Sequence, residues 1–270
     1  MTPYAEVIGD PIAHSQSPFI HGFWLKALKI DADYRRTLVT RADFPAYLAK
    51  RRADKDWCGC NVTMPLKLDA VALADDATDR AVAAGAANLL IPREGKLIAA
   101  NTDVAGVIAT IEQLQRAGAA MSSVTVLGTG GAARAVLVGL RFCKISKVIL
   151  QARDMGEARK LAVEFGLDVE PAPFLASFGS DGLINATPLG MAGGECLNCD
   201  LSRMPANGWV IDMVYDPAET PLIAAARTRG LTVMTGLDML IEQAATSFKL
   251  FFGQDPPRDR DGELWQKLKR

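Results

Sequence analysis

Along its first hundred residues the chain alternates short apolar runs with stretches whose apolar positions recur at helical spacing. Ala5-Glu6-Val7-Ile8-Gly9 reads as a strand stopped by Gly9-Asp10-Pro11. Ser17-Pro18 offers a cap and a proline for a first helical turn, and Phe19 to Leu28 continues it. Tyr34 to Val39 is strand-like, Asp43 to Arg52 helical, and Cys58 to Val62 a buried strand ending at Thr63-Met64-Pro65. Alternation of this kind predicts an α/β domain with a largely parallel sheet.

Near residue 101 the pattern restarts. Asn101-Thr102-Asp103 precedes an amphipathic run from Val104 to Ala117 that stops at Gly118. Val124 to Leu127 is then a strand, Gly128 to Gly131 a glycine turn, and Ala132 to Leu140 a helix. Val148-Ile149-Leu150 predicts the next strand and Glu157 to Phe165 the next helix. Leu183-Ile184-Asn185 and Trp209 to Asp212 add short strands, with Thr220 to Arg229 placed before Val233. From Leu237 to Phe252 an apolar stripe predicts a helix that returns to the first domain. The expected organisation is one discontinuous α/β domain, residues 1–101 with 238–270, and a second domain over 102–237.

Composition narrows the function classes. The 270 residues are 49% hydrophobic and 23% charged, and 30 basic residues balance 31 acidic ones for a net charge of −1. That balance gives no general pull toward nucleic acid or anionic lipid. No apolar run approaches the ~18–20 residues that cross a bilayer, and the N-terminus lacks the pattern of an export signal. A cytoplasmic protein acting on small molecules is expected. Five cysteines, an odd number, argue against a disulfide framework. Cys58-x-Cys60 and Cys196-x-x-Cys199 are read as free thiols in preference to zinc ligands, and the only two histidines, His14 and His21, form no zinc motif. No metal is expected.

Gly128-Thr129-Gly130-Gly131-Ala132-Ala133 fits the GxGxxG/A dinucleotide fingerprint, set between an apolar strand and an alanine-rich helix. The glycines allow a tight turn and close approach of a pyrophosphate, which the helix N-terminus then favours. After the next strand, Gln151-Ala152-Arg153-Asp154 sets an arginine suited to the 2′-phosphate of NADP beside an acid suited to the ribose of NAD. Two other segments are rich in small polar groups. His14-Ser15-Gln16-Ser17-Pro18 can hold a small carboxylate, although helix capping by Ser15 or Ser17 is the simpler reading. Asn61-Val62-Thr63-Met64-Pro65-Leu66-Lys67 puts Asn61 and Thr63 on one side of an extended strand, with Lys67 beyond the proline. Asn88, and Asn101-Thr102-Asp103 at the start of a helix, add polar groups that can converge in a cleft, and Asp103 alone reads as a helix cap.

Together these segments resemble the shikimate dehydrogenase family. The matching runs are Gly9 to Pro18, Asn61 to Lys67, Gly85 to Asn88, Asn101 to Gly106, Gly128 to Arg134, Ile184 to Met191, Asp212 to Leu222 and Gly236 to Ala245, in the family's order. The resemblance implies a substrate domain and a Rossmann domain facing each other across a cleft. It also implies reversible, NADP-linked reduction of 3-dehydroshikimate to shikimate in aromatic amino-acid biosynthesis. By motif position, Ser15, Ser17 and Tyr215 match groups that hold the substrate carboxylate. Thr63, Asn88 and Gln243 match those that bind ring hydroxyls, and Lys67 and Asp103 the catalytic pair. Gly128, Thr129, Gly130, Gly131 and Ala132 match the pyrophosphate turn, and Arg153 the adenosine-phosphate ligand. Asn185, Ala186, Thr187, Met213 and Gly236 match the nicotinamide border. The chemistry suits these residue types: a ketone that receives a hydride must also receive a proton, so an acid is needed beside it.

The adenosine-phosphate region departs from the family's usual NRTxxR. Ala152 replaces the asparagine, Asp154 the threonine, and Glu157 falls where a second arginine stands. This departure predicts a weaker preference for NADP over NAD. Leu89, after Asn88, replaces the common threonine. A quinate or quinate/shikimate dehydrogenase using NAD is the nearest alternative, disfavoured by Ser17, since threonine there accompanies quinate use in some relatives. A non-catalytic nucleotide and shikimate sensor is a further one, disfavoured by the presence of both Lys67 and Asp103. A monomer or homodimer is expected.

Overall fold

The computed structural model describes residues 2–145, 147–166, 168–177 and 179–268. The chain divides into two compact units, Met1–Thr102 with Ile241–Arg270, and Asp103–Leu240.

In the first unit, β1 (Tyr4–Gly9), α1 (Ser17–Leu28), β2 (Asp33–Leu38), α2 (Phe44–Arg52) and β3 (Trp57–Val62) follow the sequence pattern closely. They lead to α3 (Lys67–Leu73), β4 (Asp76–Ala77), α4 (Asp79–Ala84), β5 (Leu89–Arg93) and β6 (Lys96–Ala100). The sheet order is β2-β1-β3-β5-β6-β4. Strand β1 pairs in parallel with β2 and β3, whereas β5 runs antiparallel to β3 and β6. Glu94 and Gly95, both at positive φ, close the β5–β6 hairpin. One face of the sheet packs Ile8, Phe44, Leu48, Cys60, Leu66 and Leu90 into a core. Glu6, fully buried on β1, is held by Arg51 at 2.6 Å and Tyr47 at 2.8 Å, as a buried charge must be.

The second unit begins in the first turn of α5 (Thr102–Arg116). It continues through β7 (Ser123–Leu127), α6 (Gly131–Phe142), β8 (Lys147–Ala152), α7 (Met155–Phe165), β9 (Asp168–Pro173), β10 (Gly182–Asn185), β11 (Trp209–Asp212), α8 (Pro221–Thr228) and β12 (Thr232–Met234). The six strands lie in the order β12-β11-β10-β7-β8-β9, and every pairing is parallel. Read from the other edge this is the 3-2-1-4-5-6 order of a dinucleotide-binding fold, with its topological switch between β7 and β10. Helix α9 (Gly236–Phe252) carries the chain back into the first unit, where a 3-10 turn (Arg258–Arg260) and α10 (Asp261–Leu268) end it. Among the described residues no helix is long and apolar enough to cross a membrane.

Candidate active site

The polar groups of the first unit gather where strands β1 and β3 end. Thr63 N–H donates to the Ile8 carbonyl and Asp10 N–H to the Met64 carbonyl, both at 2.9 Å, drawing the turn after β3 against the end of β1. Gly9 makes that approach feasible: a Cβ there would lie 2.4 Å from Thr63 Cγ2 and 2.6 Å from the Met64 carbonyl. Lys67, half-buried, opens α3 directly after this turn, and its carbonyl accepts from Ala87 N–H at 2.8 Å.

Ser15 and Ser17 are both buried, and neither is the helix cap that the sequence suggested. The cap position of α1 falls on Gln16, whose side chain makes no capping bond. Pro18 supplies no N–H, and Phe19 N–H is taken by the Gln16 carbonyl at 3.0 Å, so a capping hydroxyl has little to accept. Ser15 Oγ accepts a long 3.3 Å bond from Ser17 N–H, while Arg36 Nε donates to the Ser15 carbonyl at 2.9 Å. The Tyr34 hydroxyl donates to Asn61 Oδ1 at 2.6 Å. Behind Tyr34 the His21 ring stacks at 4.0 Å. Neither His21 nitrogen has a hydrogen-bond partner among the described residues, and burial lowers its pKa to about 3.

Asn88 and Gln243 are brought together by Thr102. Asn88 Oδ1 accepts from Thr102 N–H at 2.7 Å, and Asn88 Nδ2 donates to Thr102 Oγ1 at 2.9 Å and to Gln243 Oε1 at 3.4 Å. All three residues are buried.

In the second unit the candidate residues lie at the carboxyl ends of β7, β8, β10 and β11. Gly128 leaves β7 with φ +104°, and a Cβ on it would meet Thr187 Cγ2 at 3.0 Å and the Ala186 carbonyl at 3.2 Å. Gly130 caps α6 with no side-chain bond and with nothing within 4 Å of a notional Cβ. Gly128, Thr129, Gly130, Gly131 and Ala132 are all solvent-accessible. A glycine turn at the switch point, leading to a helix N-terminus that no side chain occupies, fits the pyrophosphate of a dinucleotide.

Arg153 is exposed at the end of β8. The acids flanking it have other partners. Asp154 caps α7, accepting from Gly156 N–H at 2.8 Å and Glu157 N–H at 3.2 Å, and Glu157 pairs with Lys160 at 2.7 Å. Asn185 is fully buried, and its amide is spent on protein: Oδ1 accepts from Thr187 Oγ1 at 2.7 Å, and Nδ2 donates to Asp212 at 2.9 Å. Asp212 also accepts from Thr220 Oγ1 at 2.6 Å and Val214 N–H at 3.0 Å, and burial raises its pKa. Gly236 lies so close to Met213 and Val214 that a Cβ would stand 2.4 Å from the Val214 carbonyl. Asp103 is buried inside the first turn of α5, its second residue and not the cap; Tyr215 is half-buried beyond β11.

Two family models match the chain, the shikimate dehydrogenase substrate binding domain over residues 7–90 and the shikimate 5'-dehydrogenase C-terminal domain over 236–260. A shikimate dehydrogenase (NADP(+)) of Sphingopyxis alaskensis is 48% identical over 265 residues, covering 97% of this chain and 96% of the relative. The chain belongs to the shikimate dehydrogenase family. Among solved structures of the family, shikimate 5-dehydrogenase from Thermus thermophilus, in complex with NADP(H) and shikimate, superposes with a TM-score of 0.87 at 33% identity. That match covers 99% of this chain and 100% of the other. A quinate dehydrogenase from Corynebacterium glutamicum in complex with NAD gives a TM-score of 0.86 at 29% identity, covering 98% and 99%.

For this family member, the sequence marked Asn61 and Thr102 as polar groups near the candidate site but not what they hold, and Tyr34 carried no such signal. Thr102 and Asn61 hold Asn88, and the Tyr34 hydroxyl holds Asn61. Asp212 opens the run Asp212-Met213, but only the fold shows that it anchors Asn185. All five cysteines are free thiols, with Cys60 buried and Cys196 exposed.

Proposed function

We propose that this chain is an oxidoreductase that interconverts 3-dehydroshikimate and shikimate with NADP, the reaction its family performs in aromatic amino-acid biosynthesis. The observation that carries the reading is 48% identity over 97% of the chain to a shikimate dehydrogenase (NADP(+)). Its balanced charge suits a small-molecule enzyme of the cytoplasm, working as a monomer or homodimer.

NADP, when bound, supplies or accepts the hydride at the substrate's ring carbon. Gly128 to Ala132 hold the pyrophosphate through main-chain N–H groups, and Arg153 meets the adenosine phosphate. Ala186, Thr187, Met213 and Gly236 border the nicotinamide, with Asn185 fixing the turn that carries Ala186 and Thr187. Ser15, Ser17 and Tyr215 hold the substrate carboxylate with neutral single donors, without the bidentate geometry that an arginine fork would give. Binding therefore leans on Thr63, Asn88 and Gln243 at the ring hydroxyls, which also give specificity, because a missing hydroxyl strands buried polar groups. Lys67 delivers the proton to the carbonyl oxygen in reduction and takes it back in oxidation. Asp103 accepts from a substrate hydroxyl and shares the proton-transfer role with Lys67. The two act as a unit, and the proton belongs to the pair.

The test is nicotinamide absorbance with shikimate and quinate, each with NADP and NAD, in the wild type, Lys67→Ala and Asp103→Asn. Shikimate turnover is expected in the wild type, with kcat falling by about two to four orders of magnitude in each variant and a smaller change in KM. Retained turnover in both variants removes the pair from the chemistry. Preference for quinate with NAD would replace the main reading. The same screen checks the cofactor region: with one arginine at the adenosine phosphate, the kcat/KM preference for NADP over NAD is expected to be weaker than in a family member that carries the NRTxxR run.

A further inference from the structure

Glu6 and Asp212 are both fully buried carboxylates, and the fold treats them differently. Glu6 is paired with the Arg51 guanidinium at 2.6 Å. The partners of Asp212 are all neutral: Oδ1 accepts from Asn185 Nδ2 at 2.9 Å and Val214 N–H at 3.0 Å, and Oδ2 from Thr220 Oγ1 at 2.6 Å. No lysine, arginine or histidine pairs with it among the described residues. The three bonds favour the charged form against the burial that raises its pKa. The N-terminus of α8, which Thr220 caps, adds only a partial positive charge. A buried anion without a full counter-charge is costly to a fold, and a cationic ligand relieves that cost.

The place of Asp212 says which ligand. It ends β11 in register with Asn185 at the end of β10, and the segments leaving these two strands are those read as the nicotinamide border. Through Asn185, whose Oδ1 accepts from Thr187 N–H at 3.1 Å and Thr187 Oγ1 at 2.7 Å, it fixes Ala186 and Thr187. Through Val214 N–H it fixes the turn after Met213. Ala186 in turn lies against the glycine turn, where a Cβ on Gly128 would meet its carbonyl at 3.2 Å. A dinucleotide with its pyrophosphate at Gly128 and its adenosine half toward Arg153, after β8, directs its nicotinamide half to the other side of the switch, toward β10 and β11. That ring is a cation when oxidised and neutral when reduced.

We propose that Asp212 is the counter-charge for the oxidised nicotinamide, and so sets how this site discriminates the oxidised cofactor from the reduced one. The inference rests on the reading of this unit as a dinucleotide site, and it holds for NADP and NAD alike. Asp212 attracts the cationic ring and is indifferent to the neutral one. In ketone reduction, positive charge develops at the ring as hydride leaves it, and a carboxylate already fixed by three donors stabilises that charge without reorganising.

The test is calorimetric titration, without shikimate, of NADP+, NADPH and 2′,5′-ADP, which lacks the nicotinamide, into the wild type, Asp212→Asn and Thr220→Val. NAD+ and NADH replace the first two if the chain prefers them. Asp212→Asn removes the charge and keeps the network: Oδ1 still accepts from Asn185 and Val214, and the new amide donates to Thr220 Oγ1. Its Kd for NADP+ is expected to rise about three- to thirtyfold, with those for NADPH and 2′,5′-ADP within about twofold of the wild type. Thr220→Val breaks one bond and keeps the charge, so its ratio of the NADP+ Kd to the NADPH Kd should stay within about twofold of the wild type. The proposal is overturned by an unchanged ratio in Asp212→Asn, by an equal rise for both cofactors, or by the same change of ratio in Thr220→Val. If Asp212→Asn does not fold, Asp212→Ser decides by the same ratio. A wild type that binds none of these ligands overturns the dinucleotide reading itself, whereas every other outcome bears on Asp212 alone.

Discussion

Around Asn88 the polar groups are side chains locked to other side chains, buried and joined through Thr102, Asn61 and Gln243. Around Gly128 they are main-chain N–H groups at a helix N-terminus, accessible and without a capping side chain. The contrast follows from what each region is read to bind. A pyrophosphate is a diffuse anion that any row of N–H groups satisfies, so the requirement is bare backbone and no Cβ in the way. Hydroxyls on a small ring must be told apart one by one, which needs donors and acceptors whose orientation is fixed beforehand.

The sharpest way to break this comparison is Gly128→Val. A Cβ at φ +104°, 3.0 Å from Thr187 Cγ2, strains the turn and fills the cradle. The NADP KM is expected to rise by about two orders of magnitude or more, while the shikimate Kd measured without cofactor stays within about twofold. Equal loss of both ligands would mean that the two regions are not separable. Asn88→Ala comes next, leaving the Thr102 N–H without its 2.7 Å partner. Here kcat/KM for shikimate should fall about 10- to 100-fold, with NADP binding, followed by fluorescence quenching, unaltered.

The smallest effect concerns the ring behind Tyr34. His21 stays neutral in the fold down to pH about 3 against 6.5 for an ordinary histidine. Between those values the unfolded chain binds a proton that the folded chain refuses, so stability rises with pH there and is lost on acidification. His21→Phe should abolish roughly 2–4 kcal/mol of that acid loss, with little change in activity at pH 7. Urea unfolding of both proteins at pH 7 and pH 4 measures it; parallel losses would place the acid sensitivity elsewhere.

Most elements with strong periodicity were legible in the chain: β1, α1, β3, α6 and α9 lie within a few residues of their sequence positions. Others carried no such signal. Strand β9, Asp168–Pro173, contains two prolines, which a central strand would not tolerate. As the edge strand of its sheet it pairs on one side only, so residues without an N–H are tolerated there. The hairpin of β5 and β6 turns on Glu94 and Gly95, both at positive φ, and Glu94 is not a residue that announces such a turn.

The composition of the site was likewise written in the chain, because glycine turns, serines before a helix and a lysine after a strand follow from local chemistry. Sequence alone set the alternation of strands and helices, the glycine fingerprint and the family. Tertiary structure decided what each polar side chain does. Ser15 and Ser17 look like caps until Pro18 and Gln16 remove the need for one, and only the fold shows that the Asn185 amide holds Asp212 and Thr187. Asp154, an acid suited to a ribose by its place in the chain, is seen in the fold to cap α7 through Oδ1. A side chain's capacity for hydrogen bonds is a property of the residue, but which bonds remain after folding depends on neighbours distant in the chain. Ser247 reaches Asn61 across 186 positions, a contact that no local pattern encodes.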